Sequence, residues 1–334
     1  MAEPPVLLRY RARVESALDA AAPREPAGLA TMVRYHLGLA DVEGRVVGGD
    51  PGKLLRSSLC CALAEAAGAA VEDALPFAVA VELVHAFSLV HDDIQDHDRR
   101  RRHRPTVWAV WGVGQAINAG DLLWALAQRT LLRSPLPAEV RAAAASELAE
   151  ACMRMIEGQY LDLYFEAHGH VTPTEYLDMI GRKTGALLGA AAALGLLAAR
   201  RGPEEADAAR EFGRRLGVAF QVQDDYLGVW GEPDELGKPV AADIARRKKS
   251  YPVVFGLAHA QGSDREALER HYGGSGDVAA ALAALESCGA RAASQALVAR
   301  ATAEAETALD ALPLRPEHRA AVRELVAFLA TRTR

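Results

Sequence analysis

The sequence predicts an all-α protein, a single-domain helical bundle around a central cavity. Alanine and leucine dominate its 334 residues and aromatic residues make up only 6%, a composition that favours helices over sheets. Apolar residues recur with helical periodicity along almost the whole chain, and alternating strand patterns are nearly absent. Because no internal repeat or low-complexity linker divides the chain, we expect one domain over residues 1–334.

The predicted helices follow one another with short polar breaks between them. Periodicity and turn residues predict helices over 6–21, 53–68, 72–96, 116–132, 138–165, 173–199 and 204–227, and then about three shorter ones. Two longer segments are predicted as loops. One is rich in arginine and covers 99–104, and the other is rich in glycine, proline and charge and covers 228–249.

Charge, cysteine content and hydropathy exclude several classes of protein. The formal net charge of −6, without a basic stripe, argues against nucleic-acid binding. The four cysteines have no zinc-binding spacing, which fits buried thiols in the cytoplasm. The N-terminus lacks the apolar core of a signal peptide. The longest apolar run, 185–199, is shorter than the ~20 residues that span a bilayer, so we expect no transmembrane segment.

A first cluster of acids ends the predicted helix 72–96. Asp92 and Asp96 are four residues apart and share one face of the helix, with Asp93 beside them. Like charges at this spacing repel, and acids at a helix C-terminus oppose the helix dipole, so stability does not account for them. Magnesium, which takes oxygen ligands, would offset the repulsion. A solvated acidic helix end is the alternative at this point.

A second pair of acids, Asp224 and Asp225, follows another apolar helix. The two clusters could face each other across the bundle and hold magnesium ions with a diphosphate. A diphosphate also needs cationic side chains. Any one candidate is more often a solvated surface residue, but the arginine run 99–102 repels itself directly after the first acids, which favours a shared anionic ligand. The candidates are Lys53, Arg56, Arg101, Arg102, Lys183, Lys238 and Lys248.

Several short motifs stand in an order that resembles the polyprenyl synthetase family over roughly residues 30–330. One DDxxD motif alone would be weak, but an ordered set is specific. The motifs are GKLLR (52–56), ELVH (82–85), HDDIQD (91–96), RRHRPT (101–106), NAGD (118–121), GQYLD (158–162), KTG (183–185), FQVQDD (220–225), GK (237–238) and DIARRKK (243–249). The resemblance implies an isoprenoid synthase type I fold and a homodimeric prenyltransferase.

The resemblance also assigns roles to individual residues. It implies three magnesium ions held by Asp92, Asp96 and Asp224, with Asp93 and Asp225 in support. The implied substrates are isopentenyl diphosphate and an allylic diphosphate of the dimethylallyl, geranyl or farnesyl kind. The allylic diphosphate would be held by Arg101, Lys183, Gln221 and Lys238, with Thr184 nearby and Lys248 closing over it, and isopentenyl diphosphate by Lys53, Arg56, His85 and Arg102.

Three positions depart from the family pattern. Gly228 stands where the second motif usually has its last aspartate, His103 replaces a glycine, and Ser57 replaces a proline. None of these changes removes a charged ligand of the substrates, although Gly228 weakens the support for one metal ion.

Product length is predicted from the helix that carries the first motif. Ser88 lies one turn before Asp92 on the same face, Val84 lies a further turn away, and Phe87 is turned partly aside. By resemblance, an aromatic residue at 87 and a first motif without a two-residue insertion indicate geranylgeranyl diphosphate, with farnesyl diphosphate as the alternative. Phe87 equally fits a place in the core.

Two other functions remain open. A class I terpene cyclase also ionises an allylic diphosphate on magnesium, and the segment from Asp224 to Glu232 approaches the cyclase motif. A cyclase has no second substrate, however, and would not need Lys53, Arg56 and Arg102. A non-catalytic subunit of a heteromeric synthase is expected to lose its aspartates, which this chain keeps.

Overall fold

The computed structural model describes residues 4–48, 52–168, 170–231 and 241–331, and these are almost entirely helical. The first helices are α1 (Pro5–Ala21), α2 (Ala27–His36), α3 (Leu55–Ala66), α4 (Val71–Gln95), α5 (Val107–Trp111), α6 (Val113–Leu132) and α7 (Ala138–Ala167). They are followed by α8 (Pro173–Ile180), a π-helical segment (Gly181–Gly185), α9 (Ala186–Ala198), α10 (Pro203–Trp230), α11 (Ala242–Ala245), α12 (Tyr251–His259), α13 (Gly262–Tyr272), α14 (Val278–Ser287), α15 (Ala290–Asp310) and α16 (Pro316–Thr331). The predicted all-α fold is confirmed.

Two apolar helices, α4 and α9, form the centre of the bundle. Nearly every residue of α9 is buried, and the helix packs against α3, α4, α7 and α10. The segments Val71–Gln95 and Pro173–Ala198 are long and apolar enough to cross a membrane by length and composition, but most of each lies inside the protein. Burial on all sides is what an apolar core helix requires. The remaining helices surround these two and leave a cavity at one end of α4.

The predicted helix over 173–199 is divided in the structure. The chain runs from α8 through the π-helical segment into α9, so that one wider turn carries Lys183 and Thr184. Short π-helical turns often occur at functional sites. Neither α2 nor α5 was predicted, and six helices rather than about three follow residue 241. All of these are short or flanked by proline and glycine, which weakens their periodic pattern.

Asp224 and Asp225 lie inside α10, as the predicted helix over 204–227 implies, rather than after the end of a helix. The helix continues to Trp230, so the predicted loop begins three residues later than expected from Gly228. Leu227 and Val229 are buried in this last turn. Their burial outweighs the low helix propensity of glycine.

The arginine-rich segment is a small hairpin. Its two strands, β1 (Arg100–Arg101) and β2 (Arg104–Pro105), pair antiparallel directly after the end of α4. The hairpin brings the arginines back beside the first aspartate motif. This contact between the hairpin and α4 is the feature of the fold that builds one edge of the site.

Candidate active site

A cavity of about 560 Å³ opens where α4, α7, the π-helical segment and α10 meet. Apolar side chains of Leu89, Met155, Leu163, Leu187 and Phe220 make up much of its wall. Charged and polar side chains complete the lining, a combination suited to a ligand with an apolar chain and a charged head. The predicted site residues that line it are Arg56, His85, Phe87, Ser88, Asp92, Lys183, Thr184 and Gln221.

The first aspartate motif borders this cavity at the end of α4. Burial raises the pKa of Asp92 to about 6, although Lys183 opposes the shift, and the charge of Asp96 raises it further. The pKa of Asp96, which caps α4, is also raised, mainly by burial. Two carboxylates that resist ionisation side by side form a donor pair suited to a hard divalent cation.

Asp93 has a different environment from its two neighbours. Its side chain is buried, with the residue only 1% exposed, and its Oδ1 accepts a hydrogen bond of 2.7 Å from Nε of Arg101. Burial raises its pKa to about 6, and Arg101 limits the shift. Asp93 therefore joins α4 to the hairpin and fixes the position of Arg101, which agrees with a supporting role.

Lys183 approaches the first motif from the π-helical segment. It forms an ion pair with Asp162 of α7. Burial alone would lower the pKa of Lys183, but Asp162 and Asp92 outweigh burial and raise it above its usual value. A Cβ atom on Gly158 would lie 2.6 Å from the Cα atom of Lys183, so only glycine permits this approach of the two helices. Lys183 is thus held as a cation beside Asp92.

Asp162 is a site residue for which the sequence predicted no role. Its charge raises the pKa of Asp92 and Asp96 in the first cluster, and it also acts on Lys248 beside the second. The residue therefore lies between the two acidic clusters. Its place in the motif GQYLD, one turn after Gly158 on the same face of α7, was the sequence feature that could have indicated it.

The second acidic pair is divided between the interior and the surface. Asp225 is fully buried, and it accepts hydrogen bonds from the hydroxyl of Tyr176, from Nε2 of Gln221 at 3.1 Å and from the backbone N of Tyr251 at 3.2 Å. Burial raises its pKa to about 6. Asp224 lies on the exposed side of the same helix. Asp225 therefore organises the helices around it, while Asp224 faces outward.

Gln221 links Asp225 to the cavity. Its Oε1 accepts a hydrogen bond of 2.9 Å from Oγ1 of Thr184, and its amide in turn donates to Asp225.

Lys248 lies 3.8 Å from Oδ1 of Asp225. Burial would lower the pKa of Lys248, but Asp225, Asp243 and Asp224 raise it above its usual value. The predicted allylic residues Lys183, Thr184, Gln221 and Lys248 are thus connected through shared partners.

A second cavity, of about 160 Å³, adjoins the first, and its lining combines apolar residues and Glu82 with a group of basic residues. Lys53, Arg56, His85 and Arg102 all line it, and Arg56 and His85 border both cavities. Burial, and then the charges of Arg56 and Arg102, hold the pKa of His85 well below its usual range, so its imidazole is neutral. Nε of Arg56 is buried without a hydrogen-bond partner in the described ranges. The four residues predicted to hold one diphosphate are therefore brought together.

Of the other predicted residues, some contact the site and some do not. Arg101 and Arg102 contact the site, whereas Arg99 lies over the ring of Trp108 and Arg100 donates to the backbone O of His103. The arginine run as a whole therefore does not share one ligand. Val84 is buried in the core and does not line the large cavity. Lys238 lies outside the described residues.

The donor set fits magnesium held jointly by protein and substrate. Within the described parts of the chain, no three His, Cys, Asp or Glu side chains converge as a ready metal site. Magnesium commonly takes only one or two carboxylates and completes its coordination with substrate phosphates and water. The pair Asp92 and Asp96 at the end of α4 matches that pattern, whereas Asp224 lies on the exposed side of α10.

Comparison with known proteins identifies the family of the chain. Residues 45–287 match the polyprenyl synthetase family. Two curated relatives from Mycobacterium tuberculosis, a (2E,6E)-farnesyl diphosphate synthase and a geranylgeranyl diphosphate synthase, are 46% and 47% identical over 234 and 235 residues. Each alignment covers 70% of this chain, but only 65% and 66% of the relative's length.

A solved structure matches over nearly the full length of both chains. The crystal structure of a polyprenyl synthetase from Streptomyces coelicolor superposes with a TM-score of 0.91 at 39% identity, covering 97% of this chain and 98% of the other. The family that the ordered motifs predict is thereby confirmed. This chain belongs to the polyprenyl synthetase family.

Proposed function

We propose that this protein condenses isopentenyl diphosphate with an allylic diphosphate and releases a linear trans-prenyl diphosphate. The observation that carries the proposal is the pair of adjoining cavities. One has a largely apolar wall and includes Asp92 and Lys183, and the other is small and includes four basic residues in its lining. Two diphosphates can therefore bind side by side with their carbon ends directed toward each other.

In this reaction the protein mainly neutralises and positions charge. Lys183 and Arg101 stabilise the pyrophosphate that leaves the allylic substrate. The apolar walls exclude water from the allylic cation. Arg56 and Arg102 orient isopentenyl diphosphate so that its double bond attacks that cation, which lowers the entropic cost of bringing two reactants together. The proton then lost is accepted by the released pyrophosphate.

Polyprenyl synthetases depend on divalent metal ions, and we infer three magnesium ions here. Asp92 and Asp96 would hold ions on one side of the diphosphate and Asp224 on the other, while Asp93 and Asp225 hold their neighbours in position. Bound magnesium supplies Lewis-acid stabilisation of the leaving pyrophosphate. We assign Lys238 to the same diphosphate, on the motif match alone.

We favour geranylgeranyl diphosphate as the product and farnesyl diphosphate as the alternative. Relatives with similar identity to this chain bear both names. Phe87 and Ser88 line the large cavity one turn beyond Asp92, which is where a growing chain would meet them. The aromatic ring at 87 limits the depth available to the product.

We also infer a cytoplasmic homodimer of one domain over residues 1–334. Large apolar side chains on α6 and α7 are exposed, among them Ile156 at 52% and Tyr160 at 65%. Such a patch on a folded protein indicates an interface. Ile156 and Tyr160 also line the large cavity, so a second copy on this face would close its side. Light scattering on the purified protein tests the dimer.

One assay distinguishes the proposal from its alternatives. The purified protein is incubated with magnesium, isopentenyl diphosphate and each allylic diphosphate in turn, and products are identified by mass spectrometry. A lengthened linear diphosphate supports the synthase. A hydrocarbon formed from a single prenyl diphosphate would identify a cyclase, and absence of turnover under all conditions would indicate a non-catalytic subunit.

A further inference from the structure

Gly228 of α10 lies in close contact with Asp243 of α11. A Cβ atom added to Gly228 would lie 2.5 Å from Cγ of Asp243 and 3.0 Å from its Oδ1. Cβ atoms in proteins essentially never come within 3.0 Å of a neighbour. An aspartate side chain is short and has few rotamers, so any side chain at position 228 must displace the Asp243 carboxylate.

The contact between Gly228 and Asp243 lies within the second acidic motif of α10. Gly228 follows Asp224 by four residues, one helical turn along the same face. It is also the place where the second motif departs from the DDxxD pattern. The carboxylate of Asp243 therefore occupies the volume that a side chain at 228 would otherwise fill.

The negative charge of Asp243 adds to that of the second acidic cluster. Together with Asp225 and Asp224, it acts on the ammonium group of Lys248. Its backbone O accepts a hydrogen bond of 2.9 Å from the backbone N of Lys248. A shift of Asp243 would therefore change both the charge around Lys248 and the path of the chain that carries it.

We propose that Asp243 supplies from α11 the carboxylate that the second acidic motif lacks at position 228, and that Gly228 is the residue that admits it. Asp243 is a positioning residue in this assignment. It adds negative charge beside Asp224 and holds Lys248 toward the cluster. The inference rests on the proposed function, because it concerns how magnesium and pyrophosphate bind at that cluster.

The proposal predicts that the DDxxD pattern of the family would not improve this site. Restoring aspartate at 228 should not strengthen the site, because the new side chain and Asp243 compete for one volume. Gly228→Asp should therefore bind magnesium more weakly than wild type. The double variant Gly228→Asp/Asp243→Ala should recover part of that loss, since the helix now supplies the carboxylate and the competitor is gone. Such recovery is a non-additive effect between neighbours.

The test measures binding as well as turnover. The thermal unfolding midpoint is followed while magnesium is titrated at fixed inorganic pyrophosphate, for wild type, Gly228→Ala, Asp243→Asn, Gly228→Asp and the double variant. Substitution of a residue that supports a metal ligand typically weakens metal binding by about 10- to 100-fold. We expect both Gly228→Ala and Asp243→Asn to raise the magnesium requirement by about that factor. Gly28→Ala in α2, where a Cβ meets nothing within 4 Å, is the matched control and should leave it unchanged.

Asp243→Asn keeps the shape of the side chain and tests the proposal even if Gly228→Asp does not fold. An unchanged magnesium requirement in Asp243→Asn and Gly228→Ala would overturn the proposal, and so would tighter binding in Gly228→Asp. Product formation by wild type is measured separately. If wild type makes a prenyl diphosphate while these variants bind magnesium normally, this inference alone fails and the proposed function stands.

Discussion

Lys183 and Asp162 form an ion pair between the π-helical segment and α7, at the point where the two backbones approach most closely over Gly158. The pair holds a charged ammonium group beside Asp92 before any substrate arrives. Preorganised charge of this kind needs no rearrangement when a diphosphate binds and leaves. Lys183 lies in the wider π turn and lines the large cavity.

Removing this cation should slow ionisation of the allylic substrate. We expect Lys183→Ala to lower kcat by roughly 10²- to 10³-fold, the usual cost of losing one group that stabilises developing charge. Asp162→Asn keeps the cation but loosens it, so its main effect should be a higher KM for the allylic diphosphate. Steady-state kinetics with both substrates varied measures the two effects.

The adjacent Arg182 provides a matched control. It pairs with Asp178 and Glu157 on the outer side of the same segment, at 2.9 and 2.7 Å, and does not line the large cavity. Arg182→Ala should leave kcat and both KM values within about twofold of wild type, since exposed ion pairs contribute little. A loss equal to that of Lys183→Ala would mean that the π-helical segment acts only through its fold.

The sequence predicts which residues gather at this point but not the local geometry. Lys183 and Thr184 were recognised from their motif, yet the continuous apolar pattern over 173–199 gives no sign of a π turn. The turn lies close to Gly158, and its Lys183 pairs with Asp162, both residues of another helix. Single-sequence periodicity cannot register such tertiary contacts.

The raised pKa of Asp92 makes the free energy of unfolding depend on pH. Its pKa is about 6 in the folded protein against 3.8 as the ordinary value, so the folded chain retains a proton that the unfolded chain releases between these values. Stability of the ligand-free protein should therefore fall as pH rises through that window, because the native state binds more protons there. Asp93 and Asp225, also raised to about 6, contribute in the same direction.

Asp92→Asn should remove part of that slope. We expect the variant to be as stable as wild type, or more stable by up to about 1 kcal/mol above pH 6, because repulsion from Asp96 is gone. Its turnover should nevertheless fall by at least about 10²-fold. Denaturant unfolding between pH 4 and 7 measures the first effect, and near-wild-type turnover would refute the assignment of Asp92 to the metal.

The smaller cavity predicts a separation between the two substrates. Arg56 lines it beside Lys53 and Arg102, and loss of one charge-assisted hydrogen bond costs about 1.5–3 kcal/mol. Arg56→Ala should therefore raise KM for isopentenyl diphosphate roughly 10- to 100-fold, with a much smaller change for the allylic substrate. Arg99→Ala, in the arginine run that contains Arg102 but with its guanidinium over Trp108, is the control and should change neither KM. Equal effects of Arg56→Ala on both substrates would show that the two sites are wrongly assigned.

The arginines over 99–104 look alike in the sequence but have different partners in the structure. Five arginines over 99–104 read as one cationic patch, but the hairpin turns Arg101 toward Asp93 and sends Arg100 and Arg104 to backbone carbonyls. The hairpin pairs Arg100 with Pro105 and Arg101 with Arg104, so neighbouring arginines have different partners. Composition and spacing therefore predict that cations gather here, whereas only the structure distinguishes those that face the site.

Product length depends on how the ring of Phe87 is held. Phe87 borders the large cavity, and its ring centroid lies 4.9 Å from that of His91 and 6.2 Å from that of Trp124. One isoprene unit is about as long as one helical turn, ~5.4 Å. Phe87→Ala should therefore admit at least one more unit, and Ser88→Phe, one turn from Asp92, should stop the chain earlier.

Val84 supplies the control for this last prediction, because it lies one turn deeper but is fully buried and does not border the cavity. Val84→Ala alone should cost about 1–3 kcal/mol of stability by leaving a void and should not change the product, since Phe87 still stands before it. Combined with Phe87→Ala it should lengthen the product beyond that of Phe87→Ala. Mass spectrometry of the diphosphates made from each primer measures all four variants. An unchanged distribution in both Phe87→Ala and Ser88→Phe would place the floor of the cavity on other helices.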